Sequence, residues 1–313
     1  MHAATVPART GLAGNPSDAY GGAALAVPVP SLTATVEVVD APAVRVVGPG
    51  DEGSWADVGA LVAHVDRYGH EGGQRLVTAA LATLARHTGT TDDACELRWS
   101  TNIPRSVGLG GSSALVIATM QALAQRWAVT LEPLALARLA LAAEVSDLGI
   151  AAGLMDRAVQ ALGAPALVDG DDARPVAALG LPTYVVAWQL RAAGPSQRVH
   201  GALRRRFEQG EADVLAAMTR LATLGRDAAA ALESGDAVVL EACVRATWRE
   251  RQALGIVGTD VVAMVGAFDE LGVAATSAGS GGAVVGVLPP TVAPADAVAA
   301  ISRLADGAVA VLP

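Results

Sequence analysis

Apolar and polar residues recur with two different periods along the chain, and these periods predict its elements. Threonines and Glu37 alternate with apolar residues over Leu32–Val39, which predicts a half-buried strand. Leucines and alanines share one helical face over Arg75–Arg86, which predicts a helix. The same reasoning predicts further strands at Val44–Val47, Cys95–Ser100, Ala166–Asp169, Thr183–Leu190, Ala274–Ser277 and Ala283–Leu288, and further helices at Ala114–Trp127, Pro133–Val145, Ala151–Gly163, Ser196–Phe207, Glu211–Leu232, Val238–Leu254, Asp260–Leu271 and Pro294–Leu304.

The order of these elements predicts an α+β fold in two parts. Strands with interleaved helices come first, and a helix-rich half with fewer strands follows. A segment rich in glycine, aspartate and proline, Asp169–Pro182, is expected to be the linker, which gives domains at residues 1–170 and 183–313. A length of 313 residues is sufficient for two such domains. Gly48–Gly53 is expected to be a turn-rich connection.

Composition narrows the class of function. None of the 22 basic residues is a lysine, which excludes a Walker A phosphate loop and a Schiff-base enzyme. The net charge of −9, without basic blocks or aromatic platforms, argues against a nucleic-acid or membrane-surface partner. Glycines and prolines interrupt the uncharged stretches, so no membrane span is expected. No secretory signal is recognised, and Cys95 and Cys243 are expected to be buried thiols, so a cytoplasmic location is the default expectation.

A run of glycine and serine between a predicted strand and a predicted helix is a candidate anion-binding loop. It lies within Pro104–Ala114 and consists of Gly108, Leu109, Gly110, Gly111, Ser112 and Ser113. Glycines allow several backbone N–H groups to turn toward one point, and a helix N-terminus adds partial positive charge. The spacing is not that of a Rossmann fingerprint, because the third glycine is misplaced. A plain glycine-rich turn with a serine N-cap is the alternative.

Three motifs in order along the chain resemble those of the GHMP kinases, the superfamily of galactokinases, homoserine kinases, mevalonate kinases and phosphomevalonate kinases. Residues 6–22 resemble the first motif, Pro104–Ala114 the second and Thr276–Ala283 the third. Segments at 14–18, 101–105, 153–157 and 279–285 are similar to one branch, the glucuronokinases. The resemblance implies a two-part fold with the active site in the cleft between the halves. It also implies an ATP-dependent kinase that phosphorylates the anomeric hydroxyl of a sugar, D-glucuronate.

The resemblance also implies roles for individual residues. ATP would bind to the loop at 108–113 and to Gly279, Ser280 and Gly281, with Mg²⁺ held by Ser113 and Glu144. Asp156 would face the accepting hydroxyl, either as a base or as an orienting charge. Arg9 would stabilise the transferring phosphoryl group. The plainer alternatives are a helix-capping charge for Asp156 and a surface position for Arg9.

The acceptor site is expected on the first motif. The residues that would line the sugar are Asn15, Ser17, Asp18 and Tyr20; Asn15-Pro16 replaces the Glu-His of galactokinases, which argues against galactose. A uronate needs an arginine clamp, for which Arg198 is the candidate, while Arg204–Arg206 is expected to be a solvated helix face. A neutral sugar, a heptose or mevalonate is the alternative acceptor, and a non-catalytic sugar sensor is the alternative class. The expected partners are a sugar and ATP, with the chain a monomer or homodimer.

Overall fold

The computed structural model describes residues 1–49, 51–191 and 196–312, and the side chains of all of these except residues 51 and 196–200. Contacts divide the chain into two units, each assembled from three segments. The first unit consists of Met1–Ala8, Leu32–Ile103 and Gly111–Gly163, and the second of Arg9–Ser31, Pro104–Gly110 and Ala164–Pro313. The domain boundaries at 1–170 and 183–313 stay a prediction.

Strands and helices alternate in the first half of the chain, and helices dominate the second. The strands are β1 His2–Ala13, β2 Ala23–Asp40, β3 Val44–Gly48, β4 Asp51–Trp55, β5 Cys95–Thr101, β6 Ala166–Asp169, β7 Asp172–Pro175, β8 Tyr184–Trp188, β9 Ala274–Ser277, β10 Ala283–Val287 and β11 Gly307–Val311. The helices are α1 Val58–Tyr68, α2 Arg75–Thr88, α3 Gly111–Arg126, α4 Pro133–Ala142, α5 Leu154–Leu162, α6 Ser196–Glu208, α7 Ala212–Ser234, α8 Ala237–Ala253, α9 Thr259–Glu270 and α10 Pro294–Ile301. The described residues also form a 3₁₀ turn at Ser17–Tyr20 and a π-helical turn at Ala143–Asp147.

The sheet of the first unit has the order β4-β3-β5-β2. The second part of β2 pairs antiparallel with β5, with Ala34 opposite Thr101, and β3 runs parallel to β5. Alternate residues of β2 are buried, as the period of two predicts. The core is filled by side chains of α2, α3 and β5, among them Leu81, Leu84, Leu97, Ile117 and Leu123. From Ser113 to Ala124, every side chain of α3 except that of Gln121 is buried, so α3 is the central helix of this unit.

The second unit contains an antiparallel sheet of order β11-β8-β10-β9. Helices α9 and α10 pack on this sheet, and their shared core includes Val185, Met264, Phe268, Val284 and Ile301. Helices α7 and α8 pack against each other, and α8 packs along β9. The first part of β2 pairs with β6, which continues into β7. This arrangement brings the end of α8 to the turn that follows β9.

Most predicted elements are confirmed, with ends displaced by a few residues. The connection predicted at Gly48–Gly53 is wrong, because β4 begins at Asp51 and forms a hairpin with β3. The helix predicted at Pro133–Val145 is an α-helix only to Ala142 and then widens into the π-helical turn. Strand β7 lies inside the segment predicted as a linker. The elements β1, α1, β4, β7 and β11 have no counterpart among the predictions. Proline and glycine interrupt the sequence of β1, and β4, β7 and β11 are only four or five residues long, whereas α1 does have a helical spacing of buried residues.

Two expectations about residue environment are confirmed. Cys95 and Cys243 are both unpaired and buried. Within the described residues, none of the helices is both long enough and apolar enough to cross a bilayer.

Candidate functional site

Arg9 joins all three sequence motifs within the second unit. The residue lies on β1, and its side chain is buried. Its main-chain N–H donates to the carbonyl of Leu109 at 3.1 Å, and Nη1 donates to the carbonyls of Gly108 at 2.7 Å and Ala278 at 3.1 Å. The guanidinium therefore connects β1 with the glycine loop and with the turn after β9, which excludes the surface alternative.

The second and third motifs approach each other main chain against main chain. A Cβ on Gly281 would lie 2.2 Å from the carbonyl carbon of Val107, and one on Gly108 would lie 2.7 Å from the nitrogen of Gly281. Gly108 also has a φ of +86°, in the left-handed region that favours glycine. Ala283 N–H donates to the carbonyl of Val107 at 2.9 Å. Such contact leaves no room for side chains, so the glycines of both motifs are required by the packing.

Helix α3 begins where the glycine loop ends. The helix begins at Gly111, so its first residues are the glycine and two serines expected to meet phosphates. Ser113 lies in the first turn of α3 and is fully buried. The first turn of a helix of this length presents unpaired N–H groups and partial positive charge. Gly111–Ser113 belong to the first unit, and Gly108–Gly110 belong to the second.

A buried carboxylate, Glu144, lies in the π-helical turn that follows α4. Beyond the turn, Ile150 N–H donates to the carbonyl of Glu144 at 2.8 Å, and π-helical turns are often found at functional positions. Nε of Arg157 donates to Oε2 of Glu144 at 2.8 Å, and Nη2 of Arg157 donates to the same oxygen. The other oxygen, Oε1, is buried and has no partner.

Asp156 lies beside the same arginine in the first turn of α5. Its Oδ2 is 3.7 Å from Nη1 of Arg157, and its side chain is 20% exposed. Nη1 of Arg157 also donates to the carbonyl of Gly153 at 2.9 Å, which fixes the start of α5. Asp156 and Glu144, predicted as separate site residues, are thus brought together by Arg157. Arg157 is not among the predicted site residues, because its buried partner Glu144 lies 13 residues away and no local pattern in α5 indicates it.

The environment of Glu144 fits a magnesium ion. Mg²⁺ prefers oxygen ligands, keeps several waters and needs only one or two protein ligands when phosphates supply others. The partnerless Oε1 is a ligand of this kind. Within the described part of the chain, His, Cys, Asp and Glu form no group of three that would hold a metal by itself. The donor set therefore suits a cation shared with a bound phosphate.

The loop of the first motif presents two partly exposed polar side chains, Asp18 and Tyr20. The ring of Tyr20 packs on Phe207 with 4.7 Å between centroids, and the guanidinium of Arg204 lies 5.4 Å from the Tyr20 ring centroid. Desolvation raises the pKa of Tyr20, so its hydroxyl is a hydrogen-bond donor at neutral pH. Asn15 is buried, and the hydroxyl of Ser17 donates to the carbonyl of Ala23 at 2.8 Å, which gives Ser17 a structural role in this turn.

The arginines of α6 divide between two roles. Arg204 donates to the carbonyl of Ala19 at 3.1 Å, and its side chain is 55% exposed, so it lies on a solvated face as expected. Arg206 instead pairs with Glu211 and Asp213 near the surface, as expected. The side chain of Arg198, the candidate carboxylate clamp, lies outside the described residues.

Three buried hydroxyls lie on either side of the Arg9 contacts. Thr10 follows Arg9 on β1, and Thr276 and Ser277 precede Ala278 on β9. None of their hydroxyl oxygens has a hydrogen-bond partner. Because buried polar atoms are normally satisfied, this concentration is typical of a ligand-binding region.

Comparison with known proteins agrees with this geometry. The family model of the GHMP kinases N terminal domain matches residues 75–164. Two proteins of Arabidopsis thaliana, probable glucuronokinase 2 and glucuronokinase 1, are 29% and 27% identical over 307 residues, which cover 90% of this chain and 83% of each relative. The crystal structure of Methanococcus jannaschii mevalonate kinase has a TM-score of 0.81 at 15% identity and covers 99% of this chain and 98% of its own. At this identity the structural likeness shows the fold.

Proposed function

We propose that this chain, which belongs to the GHMP kinase superfamily and is an ATP-dependent sugar kinase, phosphorylates the anomeric hydroxyl of D-glucuronate to give glucuronate 1-phosphate. The observation that carries the substrate is the similarity to two glucuronokinases over 90% of the chain. The segments that resemble glucuronokinases include Asn15 at the first motif and Asp156-Arg157 at the start of α5. They therefore include Asp156, the residue that would face the accepting hydroxyl.

The triphosphate of ATP would bind to the main chain of Gly108–Ser113 and to the glycines of the third motif. Support comes from the glycine packing and from the N-terminus of α3, which offers N–H donors where a lysine is absent. Mg²⁺ would be held by the hydroxyl of Ser113 and by Oε1 of Glu144, with phosphate and water completing its ligands. The cation would neutralise the negative charge that builds up on the phosphoryl group.

Two charged side chains would act on the reaction itself. Asp156 would accept a hydrogen bond from the anomeric hydroxyl and hold it in line with the γ-phosphoryl group of ATP. It would take the proton of this hydroxyl as the new P–O bond forms and the bond from the γ-phosphorus to the β–γ bridging oxygen breaks, with ADP as the leaving group. Arg9 is a guanidinium cation, so its contribution would be electrostatic. The acceptor would be oriented by Asp18 and Tyr20, the partly exposed polar groups of the first motif.

The test is a panel of acceptors offered with ATP and Mg²⁺. We expect D-glucuronate to be phosphorylated faster than D-glucose, D-galactose, a heptose or mevalonate, with ³¹P NMR placing the phosphate on the anomeric carbon. Asp156→Asn should lower kcat by about 10²- to 10⁴-fold, the range for loss of a general acid–base group. Asp296→Asn is the matched control, because Asp296 is an exposed residue of α10. Phosphorylation of another hydroxyl, or unchanged kcat in Asp156→Asn, would contradict the proposal.

A further inference from the structure

A buried arginine without an acidic partner lies at the end of α8. Arg251 is in the last turn of this helix and is only 3% exposed. Nη1 donates to both the main-chain oxygen of Asn15 at 3.1 Å and its side-chain Oδ1 at 3.0 Å. Nη2 donates to the carbonyl of Gly279 at 2.8 Å. The guanidinium therefore lies against the first motif on one side and the third motif on the other.

The charge of Arg251 is not neutralised by the protein. Within the described residues no carboxylate lies within ion-pair distance of it, and its acceptors are all uncharged oxygens. Asp18 attracts it only from a distance, and burial lowers the pKa of Arg251 to about 10, so the group is still protonated at neutral pH. A cation taken out of water without a counter-charge is costly, and buried arginines are normally paired. Another anion is therefore expected beside it.

The hydrogen-bonding capacity of Arg251 is also incomplete. A guanidinium has five N–H donors, and three are used in the contacts to Asn15 and Gly279. One of the remaining donors is Nε, which is buried and has no partner. Arginine binds carboxylates through two parallel N–H donors, and Nε together with an Nη nitrogen is one edge that can do so. The unfilled donors thus match a carboxylate.

We infer that Arg251 is the cation that recognises the carboxylate of the acceptor. This inference rests on the proposed function in taking the first motif as the acceptor site. The roles proposed for Asp156 and Arg9 are unchanged, because Arg251 would select the acceptor and would not take part in transfer of the phosphoryl group. Arg251 holds both the main-chain oxygen and the side-chain oxygen of Asn15. Since Asn15 belongs to the first motif, this contact places Arg251 next to the expected acceptor site. A neutral sugar would leave the buried charge uncompensated.

The test compares two acceptors that differ only at this group. D-glucuronamide replaces the carboxylate of D-glucuronate with a neutral amide of nearly equal size. We expect the wild-type kcat/KM for D-glucuronate to exceed that for D-glucuronamide by about 10- to 150-fold, the range for hydrogen bonds to a charged group. In Arg251→Gln the ratio should fall below about 3-fold. Arg249→Gln, an exposed position on the same helix, is the matched control and should keep the wild-type ratio.

The outcomes separate this inference from the proposed function. If wild-type enzyme does not distinguish the acid from the amide, the inference is overturned, whatever the variants do. If it does and Arg251→Gln keeps the ratio while losing activity on both, Arg251 only ties the two motifs together and the inference is equally wrong. Should Arg251→Gln fail to fold, Arg251→Lys keeps the charge, and the expected result is a higher KM for the acid alone. If the panel selects a different carboxylate-bearing acceptor whose preference depends on Arg251, the proposed substrate fails and the inference stands.

Discussion

The pair formed by Glu144 and Arg157 allows the effect of burial on an ion pair to be predicted by comparison with an exposed pair that has a similar Nε–O distance. The Nε–Oε2 distance is 2.8 Å, and the side chains are 0% and 4% exposed. Arg220 and Glu250 form a pair with a 2.7 Å Nε–Oε1 distance, but their side chains are 20% exposed for the glutamate and 55% for the arginine. Removing one partner of a buried pair costs about 3–5 kcal/mol, because the other charge is left in a low dielectric. An exposed pair contributes about 0–1 kcal/mol.

We therefore expect Arg157→Met to lower the free energy of unfolding by about 3–5 kcal/mol and Arg220→Met by no more than about 1 kcal/mol. Both changes remove a charge and keep the aliphatic length; they differ in burial and in the hydrogen bond to the carbonyl of Gly153, which only Arg157→Met removes. The assay is equilibrium unfolding in urea followed by far-ultraviolet circular dichroism. Adding Glu144→Gln to Arg157→Met removes the stranded charge and should recover part of the loss. Equal costs for the two arginines, or a double variant less stable than Arg157→Met alone, would refute the reasoning.

Two further predictions concern packing and thiol chemistry. Gly281→Ala should lower the free energy of unfolding by at least about 1–3 kcal/mol, since its Cβ would lie 2.2 Å from the carbonyl carbon of Val107. The control Gly266→Ala in α9 places a Cβ with nothing within 4 Å and should raise the free energy of unfolding by about 0.5–1 kcal/mol. Thermal unfolding of both variants checks the sign of each change. Burial raises the pKa of Cys95 to about 12 and of Cys243 to about 11, so neither thiol should react with a disulfide reagent at pH 8 until the protein is unfolded. Because the unfolded thiols ionise near pH 9 and the folded ones do not, their contribution to stability is complete below pH 9 and declines above it. One reactive thiol in the native protein would contradict the burial argument.

The sequence predicts elements whose periodicity is produced by one-sided burial. Helix α2 and strand β2 have a buried face and a solvent face, so their apolar residues recur at the expected intervals. Strand β1 is not predicted because its sequence contains Pro7 and Gly11 and is followed directly by Gly14, and these residues are unfavourable in a regular strand. Those glycines are required by the site: a Cβ on Gly11 would lie 2.8 Å from the side-chain nitrogen of Asn15. Strand propensity does not predict β1, because glycine is needed at these positions to allow other groups to approach the backbone closely.

The candidate site divides in a similar way. The glycine loops can be recognised in the sequence, because a glycine run between a strand and a helix is a local pattern that allows backbone N–H groups to bind an anion. Arg157 and Arg251 are not visible, because a charged residue in a helix normally faces water, and only tertiary structure supplies the partner. Glu144 is 13 residues from Arg157, and Asn15 is 236 residues from Arg251. No local pattern connects residues at such separations, so their pairing had to be read from the structure.

The three buried arginines have a common task that explains why they occur with the glycine motifs. Each donates to main-chain carbonyls of a glycine-containing segment: Arg9 to Gly108 and Ala278, Arg157 to Gly153, and Arg251 to Asn15 and Gly279. Glycine permits close approach of the backbone but carries the largest entropic cost on ordering, and it has no side chain to fix its position. A planar guanidinium with donors on three nitrogens can hold two carbonyls, or a carbonyl and a carboxylate, at once, whereas a lysine concentrates its donors on one atom. In this chain, which contains no lysine, arginine side chains therefore fix the positions of the glycine-containing segments. Replacing any of the three arginines with lysine would keep the charge but lose the hydrogen bonds that bridge two carbonyls, or a carbonyl and a carboxylate.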